Sequence, residues 1–140
     1  MSEEQLQAIY YQIQMLESYL VDLIQKERTI VKVIQEASSS IESIGGIAEN
    51  EHLETLVPLG LGAYAKAKII PNEKMILNIG AGAAIERDKD STINYIESRI
   101  KEMQVALQDT ATQKQQVAAK LEQNKQELNN FLQNARKPSK

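Results

Sequence analysis

The sequence predicts a mostly α chain with a small β part: two long antiparallel coiled-coil helices joined by two β-hairpins, in a single domain of 140 residues. Three observations carry this. Two segments space their apolar residues at alternating gaps of three and four. A stretch of period-two pattern, punctuated by Gly and Pro, separates them. The two apolar series also match in length and phase when folded back on each other.

The first helix is expected over residues 2–44. Its apolar series is Leu6, Ile9, Ile13, Leu16, Leu20, Leu23, Ile30, Ile34, Ala37, Ile41 and Ile44, broken only at Glu27. No Gly or Pro interrupts it. A sustained three-four alternation has a mean period of 3.5 and marks a coiled-coil seam, whereas a globular amphipathic helix drifts toward 3.6. At about 1.5 Å per residue the helix is roughly 60 Å long. Gly45-Gly46 is expected to close it through the left-handed conformation that Gly supplies. A polar loop, Glu49-Asn50-Glu51-His52, follows.

The second helix is expected over residues 88–135. Its seam reads Ile93, Ile96, Ile100, Met103, Leu107, Thr110, Lys114, Val117, Leu121, Asn124, Leu128, Phe131 and Ala135, with three polar members. Asp88 or Asp90 supplies the N-cap, where a carboxylate meets the positive end of the helix dipole. Residues 136–140 are expected to form a basic, flexible tail containing Pro138.

Because the intervening segment must join the two helices, Ile44 is placed opposite Ile93. The same register sets Leu6 opposite Phe131, and every a position then faces a d position. It also sets Glu27 opposite Thr110, with Lys114 one turn away. The one polar break in the first seam therefore meets a polar break in the second, and such a layer specifies register at some cost in stability.

Residues 53–87 change character. Leu56-Val57-Pro58-Leu59 is a short apolar run and Gly60-Leu61-Gly62 a turn. Ala63 to Ile69 then alternates as a strand does. Ile70-Pro71-Asn72-Glu73 is a turn with Pro at its second position. Met75 to Ile79 is a further strand, Gly80-Ala81-Gly82 turns the chain, and Ala83 to Arg87 returns it. Two hairpins with open edges result. An isolated hairpin is marginal in water, so strands from other subunits are expected to complete them.

Composition narrows the function. Trp and Cys are absent, Phe occurs once and the net charge is -3. Few large aromatics are available to fill a wide core. No thiolate nucleophile, thiolate metal site or disulfide exists, and no concentrated basic surface suits nucleic acid. No apolar run is long enough to span a bilayer, and no secretory leader follows the acidic start, so the expected setting is cytoplasmic. Gly60-Leu61-Gly62-Ala63-Tyr64-Ala65 fits a loose dinucleotide-binding pattern, but that pattern needs a helix next and a strand is expected. His52, the single histidine, sits in a polar loop without the three or four ligands a metal needs. No catalytic residue, cofactor or metal is therefore expected.

Thr55-Leu56-Val57-Pro58-Leu59-Gly60-Leu61-Gly62 resembles the first hairpin of prefoldin alpha subunits. Gly80-Ala81-Gly82-Ala83-Ala84-Ile85-Glu86-Arg87-Asp88 is similar to the second, with Ala83 or Ala84 standing where the family usually has an aromatic or other large residue. The resemblance covers the chain: helix, two hairpins, helix. It implies a hexamer of two alpha-type and four beta-type subunits, in which the hairpins form an intersubunit β-barrel. From this barrel the coiled coils hold non-native proteins at their tips, without ATP, for delivery to a group II chaperonin. The hairpin residues expected to carry assembly are Leu56, Val57, Leu59, Tyr64, Ile69, Met75, Leu77, Ile79 and Ile85. Those expected to touch clients are Leu6, Ile9, Tyr10, Leu128, Phe131 and Leu132, because apolar side chains at an open coil end cannot all be covered by one partner helix. An alternative from another class is a structural homologue whose hairpins polymerise into a filament or scaffold.

Overall fold

The first helix begins at a reciprocal cap. The Ser2 hydroxyl accepts a hydrogen bond from the Gln5 N–H at 3.3 Å, and the Gln5 side-chain oxygen accepts one from the Ser2 N–H at 2.9 Å. This Ser-x-x-Gln box satisfies backbone donors that no helical carbonyl can reach. A computed structural model describes residues 2–47 and 51–136. Its elements are α1 (Glu3–Gly45), β1 (Leu53–Gly60), β2 (Ala63–Ile69), β3 (Met75–Gly80), β4 (Ala83–Arg87) and α2 (Lys89–Arg136). Two long helices and two antiparallel hairpins are thus present. Glu49, Asn50 and the tail beyond Arg136 lie outside the described residues, and Arg136 itself belongs to α2.

The chain divides into two compact units. One comprises Met1–Lys32 with Met103–Lys140. Here the helices run antiparallel: the Lys125 ammonium meets Glu17 Oε1 at 3.2 Å, and the Lys114 ammonium meets Glu27 Oε1 at 3.0 Å. Its apolar core is thin, with Ile13, Leu23, Val117 and Leu121 buried among the described residues. Apart from Ala135, the seam positions of this unit lose solvent at least in part. Leu6, Ile9, Leu16, Leu20, Glu27 and Ile30 on α1 are half-buried, as are Met103, Leu107, Lys114, Leu128 and Phe131 on α2, while Ala135 is exposed. The polar layer is partly as expected. Lys114 reaches Glu27, but the buried Thr110 turns its hydroxyl to the Ala106 carbonyl at 2.8 Å rather than to Glu27. A Thr in a helix can satisfy its own hydroxyl on the preceding turn, so it needs no partner across the seam.

The other unit comprises Val33–Glu102. The Asp88 carboxylate accepts from the Ser91 N–H at 2.7 Å and so caps α2, which decides between the two candidate caps. The end of α1 corrects an expectation. Among the described residues the left-handed glycines are Gly60, Gly62, Gly80 and Gly82, so neither Gly45 nor Gly46 closes α1 that way. Instead the Gly46 N–H bonds the Glu42 carbonyl at 3.0 Å, and the Lys89 ammonium donates to the Ile47 carbonyl at 2.8 Å and to that of Gly45 at 3.5 Å. A cation from the first turn of α2 thus meets the carbonyl-rich negative end of α1.

The hairpins form two separate two-stranded sheets, β1-β2 and β3-β4. Pairing runs from Leu53↔Ile69 to Pro58↔Tyr64 in the first, and from Met75↔Arg87 to Asn78↔Ala84 in the second. Each turns through two left-handed residues, Leu61 and Gly62 at φ 51 and 82°, then Ala81 and Gly82 at φ 53 and 75°. Positive φ at both central positions matches the twist of the flanking strands. Between the hairpins, Pro71 is followed by Asn72 at φ 63°, the residue pair a type II turn favours.

Candidate functional site

The open end of the helix pair is the first candidate surface. Tyr10 follows the seam residue Ile9 and so lies on its flank, where it is 48% exposed. Leu6, Ile9, Leu128, Phe131 and Leu132 are half-buried, and the first fully buried seam residues are Ile13 and Asn124, further along. All six expected contact residues therefore keep apolar surface in water at one end of one unit. A shallow groove of about 350 Å³ beside them is lined by Gln5, Ala8, Ile9 and Glu127.

Heptad reasoning passed over Tyr11 and Met15. Tyr11 is 65% exposed and Met15 54%, on the side of α1 turned away from the seam, and Tyr19 and Val21 are exposed nearby. The available signal was the violation itself, because outward coiled-coil positions are ordinarily polar. Among the described residues of α2, Val105 alone is a large apolar side chain left exposed.

The hairpins form the third surface. Leu56, Val57, Leu59, Tyr64 and Ile79 are exposed, whereas Ile69, Met75, Leu77 and Ile85 are half-buried. In a two-stranded sheet each strand keeps one unpaired edge of N–H and C=O groups. Both hairpins therefore offer main-chain pairing sites beside uncovered apolar side chains.

The loose dinucleotide pattern at Gly60 to Ala65 is the β1-β2 turn, followed by β2 rather than a helix. His52 is exposed, and no group of three His, Cys, Asp or Glu is arranged to hold a metal among the described residues. The Asp88 carboxyl lies below its ordinary range chiefly because the Ser91 N–H bonds its charged form, with the Ser91 hydroxyl, Lys74 and Arg87 assisting against slight desolvation. No helix among the described residues is long and apolar enough to cross a membrane.

Paired helices with a thinly covered apolar end, joined through open-edged hairpins, define a hairpin-bearing coiled-coil protein. The prefoldin subunit family model matches residues 3–139. The prefoldin subunit alpha of Nitrosopumilus maritimus is 50% identical over 95% of this chain and 92% of its own length. Prefoldin subunit alpha 1 of Thermococcus kodakarensis is 33% identical over 71% of this chain and 68% of its own. Among solved structures, the prefoldin beta subunit from Thermococcus strain KS-1 superposes with a TM-score of 0.64 at 16% identity, covering 96% of this chain and 95% of that one. The filamentous PFD of Methanocaldococcus jannaschii gives 0.51 at 21% identity, covering 90% and 99%. The chain belongs to the prefoldin family, a family of chaperone subunits, and it matches the alpha type.

Proposed function

We propose that this chain is the alpha-type subunit of an ATP-independent holdase. The hairpins of two such chains combine with those of four beta-type subunits into a β-barrel. The helix ends hold non-native proteins in the cytoplasm and pass them to a group II chaperonin. The observation that carries this is the partial cover of Leu6, Ile9, Tyr10, Leu128, Phe131 and Leu132 at one end of the helix pair. Burying such surface against an unfolded chain is favourable by about 25 cal/mol per Å², and weak contacts from several arms add through multivalency. The test is suppression of client aggregation by the complex formed with a beta-type subunit, with the isolated chain as control. Changing Tyr10, Phe131 and Leu132 together to Ser is expected to keep the mass of the complex and most of its helicity while strongly reducing suppression. Full suppression by the triple variant would move the binding surface elsewhere.

A second reading, a filament or scaffold, draws on the structural likeness to a prefoldin solved as a filament and on the open hairpin edges here. Mass measured alone and with a beta-type subunit separates the two. A closed hexamer with the partner supports the holdase, and open polymers support the scaffold.

A further inference from the structure

The outermost line of α1 runs through Glu4, Ala8, Tyr11, Met15, Ser18 and Asp22, at gaps of three and four, so these residues are neighbours along one helix face. Its middle is apolar and each end is a carboxylate. Tyr11 and Met15 are more than half exposed, so they add little to the packing of this chain. The matching outward line of α2 carries Gln116, Ala119, Gln123, Gln126 and Asn130, the polar composition expected of a face with no partner. The apolar row is therefore particular to α1.

Charge indicates what the row takes. No Lys or Arg precedes Lys26 in the chain. Level with the row, residues 4–22 and 115–133 carry five carboxylates against two ammoniums. One of those ammoniums, Lys125, is already paired with Glu17, which leaves Lys120 against Glu4, Asp22, Glu122 and Glu127. Glu127 also lines the groove beside Ala8. A Tyr face attracts a cation, and a Met side chain adapts to varied apolar shapes.

Taking the holdase reading as its basis, we propose that the outer face of α1 from Glu4 to Asp22 is a binding track for extended segments of non-native proteins that combine apolar side chains with Lys or Arg. The apolar side chains lie on Tyr11 and Met15, and the cations meet Glu4, Asp22 and Glu127. At helix rise the track is about 27 Å long, enough for about eight residues of extended chain. It lies beside the tip surface and extends it along one helix.

The test uses the complex formed with a beta-type subunit and two fluorescein-labelled peptides of identical apolar content, one carrying Lys and the other Glu at the intervening positions. Anisotropy at low salt is expected to show the cationic peptide bound several-fold more tightly by the parent. Tyr11→Gln with Met15→Gln is expected to weaken cationic-peptide binding several-fold, with mass and helicity retained. Glu4→Lys with Asp22→Lys is expected to reduce or reverse the charge preference. Parental affinity and preference in both double variants would overturn the inference. So would a change in the mass of the complex on Tyr11→Gln/Met15→Gln, which would make the row a contact between subunits. A parent that suppresses aggregation while showing no charge preference overturns this inference alone. A parent that neither suppresses aggregation nor binds either peptide overturns the holdase reading.

Discussion

Replacing Asn124 by Leu is expected to stabilise the helix pair. Asn124 occupies a seam position that the register places opposite Ile13, and it is only 7% exposed. Its side-chain Nδ2 is buried without a hydrogen-bond partner. A buried donor left unpaired costs about 1–3 kcal/mol. Leu has the same branching as the Asn amide, so it removes that cost and adds apolar burial of its own. Slight overpacking offsets part of the gain, leaving about 2 kcal/mol as the expected net. Near this chain length each kcal/mol moves the melting temperature by about 2–4 °C. The assay is denaturant and thermal unfolding followed by circular dichroism, with hydrogen exchange reporting which amides slow. Protection is expected to rise around Ile13 and Asn124 and to be unchanged in the hairpins. A variant that melts below the parent would refute the reasoning, because the amide would then be satisfied in solution or would be needed to specify register.

Three further outcomes follow from the same physics. Glu27→Leu exchanges a partly exposed ion pair, worth about 0–1 kcal/mol, for apolar cover at a half-buried seam position. Lys114 is one-third exposed and can return its ammonium to water, so a gain of about 1 kcal/mol is expected in thermal unfolding, and a clear fall would make the pair net stabilising. The carboxyl of Asp88 ionises below its ordinary range in the folded chain, so its contribution is fully present above the unfolded carboxylate value and is lost as pH falls through the lowered folded value. Asp88→Ala should therefore lower the melting temperature at neutral pH, with the gap to the parent closing in acid, and a gap that persists unchanged would assign the effect to something other than the charged cap. Replacing residues 53–87 by a short helix-helix turn should leave a helical species of low mass, and sedimentation showing an unchanged large complex would remove the hairpins from assembly.

Much of the candidate site was legible because it depends on periodicity. Leu6, Ile9, Leu128 and Phe131 follow from the three-four alternation, and Tyr10 and Leu132 from standing one residue beyond it. Tyr11 and Met15 were not legible by the same rule, which assigns outward positions to solvent and then disregards what stands there. Their significance rests on exposure, which depends on where the partner helix lies.

The same division runs through the fold. Local chemistry in the sequence determined the two seams and both hairpins. Spacing along a helix, φ preferences at Gly and Pro, and strand alternation act between residues close in the chain. Only the tertiary structure decided how the polar groups are satisfied. Lys89 reaches back to the carbonyls at the end of α1, where two glycines suggested a left-handed closure. Thr110 bonds its own helix, Lys114 takes Glu27, and the Asn124 amide is left unpaired. Each of these is a competition between a partner nearby in the chain and one brought close by folding, and residue type and spacing do not determine which of them lies within hydrogen-bonding distance.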